Sequence, residues 1–166
     1  MATRISYKNI NRLESLKNSK KPGLGNLLKV LHLLGEPQFK LGKTIIISGT
    51  NGKGTVANIL NRIYVDSGYK VGLYTSPHLV SLNERIRIRD KKIDSRILDS
   101  YLNKVIKAGL RINCKLSFFE LLTATTILYF AQKKNDLNIF EVGLGGRFDA
   151  TNVIKSKIGI ITNIEM

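Results

Sequence analysis

The chain has 166 residues, a hydrophobic share of 43% and a formal net charge of +15, which suits one globular domain able to bury its own core. No apolar run reaches the roughly 18 residues of a membrane-spanning helix, and the polar N-terminus carries no apolar signal-peptide core. Cys114 is alone, which excludes an internal disulfide and suits a reducing compartment, so a cytoplasmic protein is expected.

The segment PGLGNLLKVLHLLGEP predicts a helix with Leu24, Leu27, Leu28, Leu31 and Leu34 on one face, closed by Gly35 and Pro37. KTIIIS follows as a strand and runs into a glycine-rich turn. The next helix is expected from about Gly54 to Ser67, with Val56, Ile59, Leu60, Ile63 and Tyr64 as its inward stripe. KVGLYTS reads as a second strand and ERIRIRDKKID as a short hairpin. Asp94 is placed to cap a helix whose apolar face is Ile97, Leu98, Tyr101, Leu102, Val105 and Ile106. Ser117 to Lys134 reads as another helix, apolar nearly all round and therefore buried. LNIFEVG and KIGIIT supply two more strands. These strands are continuous β-branched runs, which predicts burial on both faces and parallel pairing. Strands alternating with helices give an α/β fold, a doubly wound, mainly parallel sheet flanked by helices.

Ligands of such sheets bind beyond the carboxyl ends of the strands. The first strand delivers Gly49, Thr50, Asn51, Gly52, Lys53, Gly54 and Thr55 to that edge, and the second delivers Thr75, Ser76, Pro77 and His78. The third delivers Glu141 and then GLGGRFDATN, and the fourth delivers Asn163 and Glu165. The glycine turn has the layout of a phosphate loop, in which close backbone approach and a helix N-terminus favour an anion. Its spacing differs from the common pattern: only Thr50 and Asn51 separate Gly49 from Gly52, and Gly54 follows the lysine. Lys53 would lie against terminal phosphates, and Thr55 would offer its hydroxyl to them or to Mg²⁺. Glu141 interrupts an apolar strand, where an unpaired carboxylate is costly. Either a Mg²⁺ ion or an ion pair with Arg147 would offset that cost. Ser117 and Glu120 fit a helix capping box, a structural role in its own right. Arg147 and Asp149 either orient an organic substrate or form a local pair within a tight turn.

The motifs SGTNGKGT, YTSPHLVSLNERIRI, SFFELLTATTILYF and EVGLGGRFDATNV occur in the order seen in the folylpolyglutamate synthase/dihydrofolate synthase family, and from about Leu24 onward the chain resembles that family. That family belongs to the Mur ligase superfamily of ATP-dependent amide-forming ligases. The short loop with a glycine after its lysine is similar to the loop of the folate branch. The resemblance implies an ATP-dependent ligase joining L-glutamate to a folate or dihydropteroate carboxylate through an acyl phosphate. It implies ATP at Gly49–Thr55, catalytic roles for Lys53 and Glu141, and Mg²⁺ at Ser76, Glu141 and Thr55. It implies substrate contacts at Leu24, Gly25, Asn26 and Leu27, at Ser117, Phe118, Phe119 and Glu120, and at Arg147, Phe148 and Asp149.

It divides the chain into a helical lead-in with a substrate loop (residues 1–42) and a phosphate-loop core (43–166). The family pattern continues past Met166 with an Asp-His pair and a second domain, so the chain is expected to be an N-terminal portion lacking the C-terminal ligase domain. The complete enzyme is expected to be a monomer with no nucleic-acid or membrane partner. Its basic residues are scattered and lack the aromatic interleaving of single-strand binders. Another Mur-type amide ligase, a phosphate-loop kinase and a non-catalytic basic binding module are the alternative readings.

Overall fold

The β-branched runs pair side by side in a computed structural model, which describes residues 9–10 and 24–165. The elements are α1 (Gly25–Leu33), β1 (Lys43–Ser48), α2 (Lys53–Asp66), β2 (Val71–Tyr74), β3 (Ile86–Ile88), β4 (Lys91–Lys92), α3 (Ser95–Arg111), α4 (Phe118–Lys133), β5 (Leu137–Glu141) and β6 (Ile158–Ile161). One-turn 3₁₀ helices span Pro37–Lys40, Leu82–Arg85 and Ala150–Val153. The strands form one sheet in the order β4-β3-β2-β5-β1-β6. β2, β5, β1 and β6 are parallel, β3 is antiparallel to β2, and the short β4 is antiparallel to β3. Half of the expected lead-in, residues 1–8 and 11–23, lies outside the described residues.

The two faces of the sheet carry separate cores. On one, α1, α3 and α4 pack around Tyr74, Leu98, Leu102, Leu122, Ile127, Phe130 and Phe140. On the other, α2 lies over Ile45, Ile47, Val71, Leu73, Leu137 and Ile139. This is the doubly wound arrangement, with the antiparallel ribbon added at one edge. The residues from Leu121 to Phe130 of α4 are all buried, as its unbroken apolar sequence requires. Local signals set two helix starts. The Asp94 carboxylate accepts from the N–H groups of Arg96 (2.8 Å) and Ile97 (3.3 Å). Ser117 and Glu120 close a reciprocal capping box on α4.

Two expectations are corrected. The inward face of α2 is Val56, Ala57, Leu60, Asn61 and Tyr64, whereas Ile59 and Ile63 are each 54% exposed. Small Ala57 lets the helix sit close to the sheet, and Asn61 tolerates burial because its amide donates to the Asp90 carboxylate. The second correction concerns β6, which was expected to be covered on both faces. It is the edge strand, paired with β1, and its Ile158 and Ile161 are 52% and 66% exposed.

Candidate functional site

The carboxyl ends of β1, β2, β5 and β6 meet at one rim of the sheet, and the turn from β1 to α2 forms its centre. Gly52 precedes α2 with φ +78, and no side chain caps that helix. The first-turn N–H groups of a helix have no intrahelical acceptor, so the rim presents uncapped donors and the positive end of the α2 dipole. Lys53 bends back over the turn and donates from Nζ to the carbonyls of Gly49 (2.8 Å) and Thr50 (3.0 Å).

β6 holds the turn from its other side. The Thr50 N–H donates to the Asn163 carbonyl (2.8 Å), and the Asn51 N–H donates to Asn163 Oδ1 (2.8 Å). Thr162 Oγ1 donates to the Asn51 carbonyl (2.6 Å). The Glu165 N–H donates to Thr50 Oγ1 (3.0 Å), while its carboxylate accepts from Asn51 Nδ2 (2.9 Å). Gly49 has φ +135 and lies so close that an added Cβ would come within 2.1 Å of Thr162 Oγ1. The backbone amides of Thr50 and Asn51 are therefore committed to the fold, which leaves Gly52 to Thr55 as the donors facing outward.

Glu141 ends β5 beside this turn. It is 4% exposed, and its Oε2 accepts from the Ser76 N–H (2.9 Å). A Cβ built on Gly54 would sit 3.4 Å from Glu141 Oε1, at ordinary van der Waals distance, which places the start of α2 beside the carboxylate. Burial pushes the Glu141 carboxyl above the usual glutamate range, and the Ser76 N–H and the charges of Lys53 and Arg85 pull it part of the way back. The alternative to a cation, an ion pair with Arg147, is not made among the described residues. That side chain is exposed, its guanidinium 6.0 Å from the centre of the Phe148 ring.

The other expected site residues fall into three groups. Leu27 is fully buried in the core, while Gly25 and Asn26 are exposed and Asn26 Nδ2 donates to the Lys115 carbonyl (3.3 Å). Ser117 to Glu120 lies half-buried at the start of α4, with the Glu120 carboxylate engaged by the Ser117 N–H (2.8 Å) and hydroxyl (2.7 Å). Asp149 is buried and spends its oxygens on its own loop. Oδ2 accepts from the N–H groups of Gly143 and Leu144 (3.0 Å each), and Oδ1 accepts from the Thr151 N–H (2.9 Å) and hydroxyl (2.6 Å). Arg147 and Phe148 project from the loop that this carboxylate shapes.

Sequence reasoning left out two contributors. The Thr162–Asn163–Glu165 clamp was visible only as a strand exit. Arg85 was visible only as one basic residue in the NERIRI alternation. It is buried, and its Nε donates to His78 Nδ1 (2.8 Å), with the guanidinium carbon 5.2 Å from the centre of the Phe118 ring. Glu84 ties down the loop that carries both, accepting from the N–H groups of Leu79 (3.0 Å) and Val80 (3.3 Å) and from Lys92 Nζ (3.1 Å). These bonds pull its carboxyl down to about 2.

A lysine-bearing glycine turn at an uncapped helix start, on the carboxyl rim of a parallel sheet, defines a phosphate-loop α/β domain. Comparison with known proteins narrows the class. No family model matches the chain. A dihydrofolate synthase/folylpolyglutamate synthase of Buchnera aphidicola subsp. Acyrthosiphon pisum is 44% identical over 140 residues, covering 83% of this chain and 32% of the relative. The protein of the same name from Bacillus subtilis is 37% identical over 155 residues, covering 90% and 36%. A folylpolyglutamate synthase crystal structure from Thermotoga maritima superposes with a TM-score of 0.89 at 39% identity, covering 96% of this chain and 38% of that one. The chain belongs to the folylpolyglutamate synthase/dihydrofolate synthase family. It spans about a third of the length of the relatives it matches.

Proposed function

We propose that the chain forms the ATP-binding part of a ligase that joins L-glutamate to the carboxylate of a folate or of dihydropteroate. The observation that carries this reading is the nearness of Glu141 to the lysine-bearing turn, whose Gly54 backbone lies beside its carboxylate and whose Lys53 charge acts on it. It puts uncapped donors, an ammonium group and a buried carboxylate at one spot. Similar solved structures support the choice of ligands. One Escherichia coli relative is in complex with DHPP and ADP, another relative with AMPPCP and folate, and a third with Mn, AMPPNP and L-glutamate.

The residues present fit a nucleotide and a divalent cation. Gly52 to Thr55 would receive the phosphates, with Lys53 swinging from its loop carbonyls to the terminal ones. Among the described residues no three His, Cys, Asp or Glu side chains converge, so a cation would rest on Glu141, the Ser76 and Thr55 hydroxyls and phosphate oxygens. Mg²⁺ suits that donor set, being held by one or two carboxylates together with substrate phosphates. When bound, it would neutralise charge on the transferring phosphoryl group.

In the reaction, a substrate carboxylate oxygen attacks the terminal phosphorus of ATP, and the bond to ADP breaks. The resulting acyl phosphate is attacked at carbon by the amine of L-glutamate. Phosphate then leaves, the amine gives up a proton and an amide remains. The chain's own task is positioning and charge compensation. Lys53 and the α2 N-terminus hold the phosphates, Glu141 fixes the rim beside Ser76, and the starts of α1 and α4 with the Arg147–Asp149 loop would receive the pteroyl substrate.

Equilibrium binding of a fluorescent ATP analogue with Mg²⁺ tests the nucleotide half. Lys53→Ala should weaken binding at least about tenfold, as loss of a charge-assisted phosphate contact implies. Unchanged affinity would remove the lysine from the mechanism. The ligase half is tested by ADP release that requires both a pteroyl acid and L-glutamate, with the amide product identified by mass. Release of ADP without either substrate, at the full rate, would reject it.

A further inference from the structure

Arg85 is the only lysine or arginine in the buried class among the described residues, at 8% exposure, and most of its donors are unspent. A guanidinium has five N–H donors. Here Nε–H is spent on His78 Nδ1, and the guanidinium carbon lies over the Phe118 ring, 5.2 Å from its centre. Arg85 takes part in no ion pair among the described residues. Its two terminal nitrogens have no hydrogen-bond partner there, yet neither is among the sealed, unpartnered atoms, so both still reach open space. The main chain is fixed as well, because the Thr75 N–H donates to the Arg85 carbonyl (3.0 Å) at the exit of β2.

A side chain that served only to brace the loop would not need a full charge in a nearly closed setting, where an unpaired ion is costly. With Nε engaged, the end-on fork of the two terminal nitrogens remains, and that fork matches a carboxylate. Its surroundings are those of the reacting centre. Phe118 belongs to the α4 start, His78 and Ser76 to the β2 exit, and Glu141 feels the Arg85 charge.

We propose that Arg85 binds the reacting carboxylate of the pteroyl substrate and holds it beside the phosphate turn. The assignment rests on the ligase reading above and adds to it the residue that recognises the acid. Phe118 packs beside the guanidinium, and His78 holds its Nε, which leaves the fork of the two terminal nitrogens for the acid. Attack on the terminal phosphorus of ATP then starts from an oxygen already held in place. The same fork remains beside the acyl phosphate while the amine attacks.

The test is calorimetric titration of the 166-residue protein with dihydropteroate and with its carboxamide, in the presence of Mg²⁺ and a non-hydrolysable ATP analogue. The wild type should prefer the acid by at least about tenfold. Arg85→Gln should abolish that preference by weakening the acid alone, and Arg85→Lys, which keeps the charge but not the fork, should restore only part of it. Affinity for the ATP analogue should be the same in all three proteins, a readout that a bracing role would disturb. If Arg85→Gln still prefers the acid as the wild type does, Arg85 is not the recognising group and the ligase reading stands. Equal loss of acid, carboxamide and ATP-analogue binding in both variants would assign it a bracing role and overturn the proposal. A wild type that binds the ATP analogue but neither pteroyl compound would overturn the pteroyl reading and this inference with it.

Discussion

Gly49→Ala is the sharpest perturbation of the phosphate turn. At φ +135 an alanine is strained, at a cost of roughly 1–2 kcal/mol. Its methyl would lie 2.1 Å from Thr162 Oγ1 and 2.8 Å from the Asn163 carbonyl. Thr162 can turn aside only by giving up the bond its hydroxyl donates to the Asn51 carbonyl (2.6 Å), worth about 1 kcal/mol. The Asn163 backbone must also move, at roughly 1–3 kcal/mol for overpacking. The sum, roughly 3–6 kcal/mol, corresponds to a fall in melting temperature of roughly 10–20 °C for a chain of this size. Thermal unfolding followed by circular dichroism measures it. Thr162→Ala added to Gly49→Ala removes the hydroxyl contact and should recover part of the loss, leaving the backbone contact. A single Gly49→Ala variant melting within about 2 °C of the wild type would refute the clamp described for this turn.

Glu141→Gln tests the buried carboxylate. The folded-state pKa lies above the ordinary value of 4.5, so the group favours the fold most below that pH and loses this contribution as pH rises through the raised value. The ligand-free variant should therefore match the wild type near pH 4 and be the more stable at pH 7. It should also lose the extra stability that the wild type gains from Mg²⁺ and nucleotide, and a variant still stabilised to the wild-type extent would exclude Glu141 as a cation site. Ser117→Ala opens the α4 capping box and should cost about 1 kcal/mol in denaturant unfolding. Adding Glu120→Ala should cost little more, since both partners serve one motif, and full additivity would count against the reciprocal bonding. Asp149→Ala strips four hydrogen bonds from the loop that carries Arg147 and Phe148. Faster hydrogen exchange at Gly143 and Leu144 is expected, with a loss of about 4 kcal/mol at about 1 kcal/mol per bond, and unchanged exchange there would refute the latch.

What could be read from the sequence followed from physics that acts locally. KTIIIS and LNIFEVG name buried parallel strands because only a two-sided core calls for unbroken apolar runs. Asp94 and Ser117 announce helix starts because a helix needs acceptors for its first N–H groups. The glycine turn was legible because its neighbours fix it between a strand and a helix. What could not be read depends on which neighbour a residue meets. In α2 the apolar residues surround the axis widely enough that Ile59 looks as suitable for the core as Ala57, and only the Asp90 partner reveals that Asn61 can go inside. KIGIIT resembles the inner strands, yet sheet order puts it at the edge. Arg85 is one charge among many in a chain of net charge +15, and its burial arises from contacts with His78 and Phe118 that lie seven and thirty-three positions away.

The two borders of the sheet are unlike. At one, β4 is two residues long, Lys91 and Lys92, and a pair of lysines discourages any further strand from joining there. At the other, β6 offers an unshielded ribbon of isoleucine and glycine, with backbone groups pointing away from β1. Polypeptide can extend this sheet in one direction only, and the side left open is the one whose exit residues hold the phosphate turn in shape. Anything that docks along β6 would therefore be felt at Lys53.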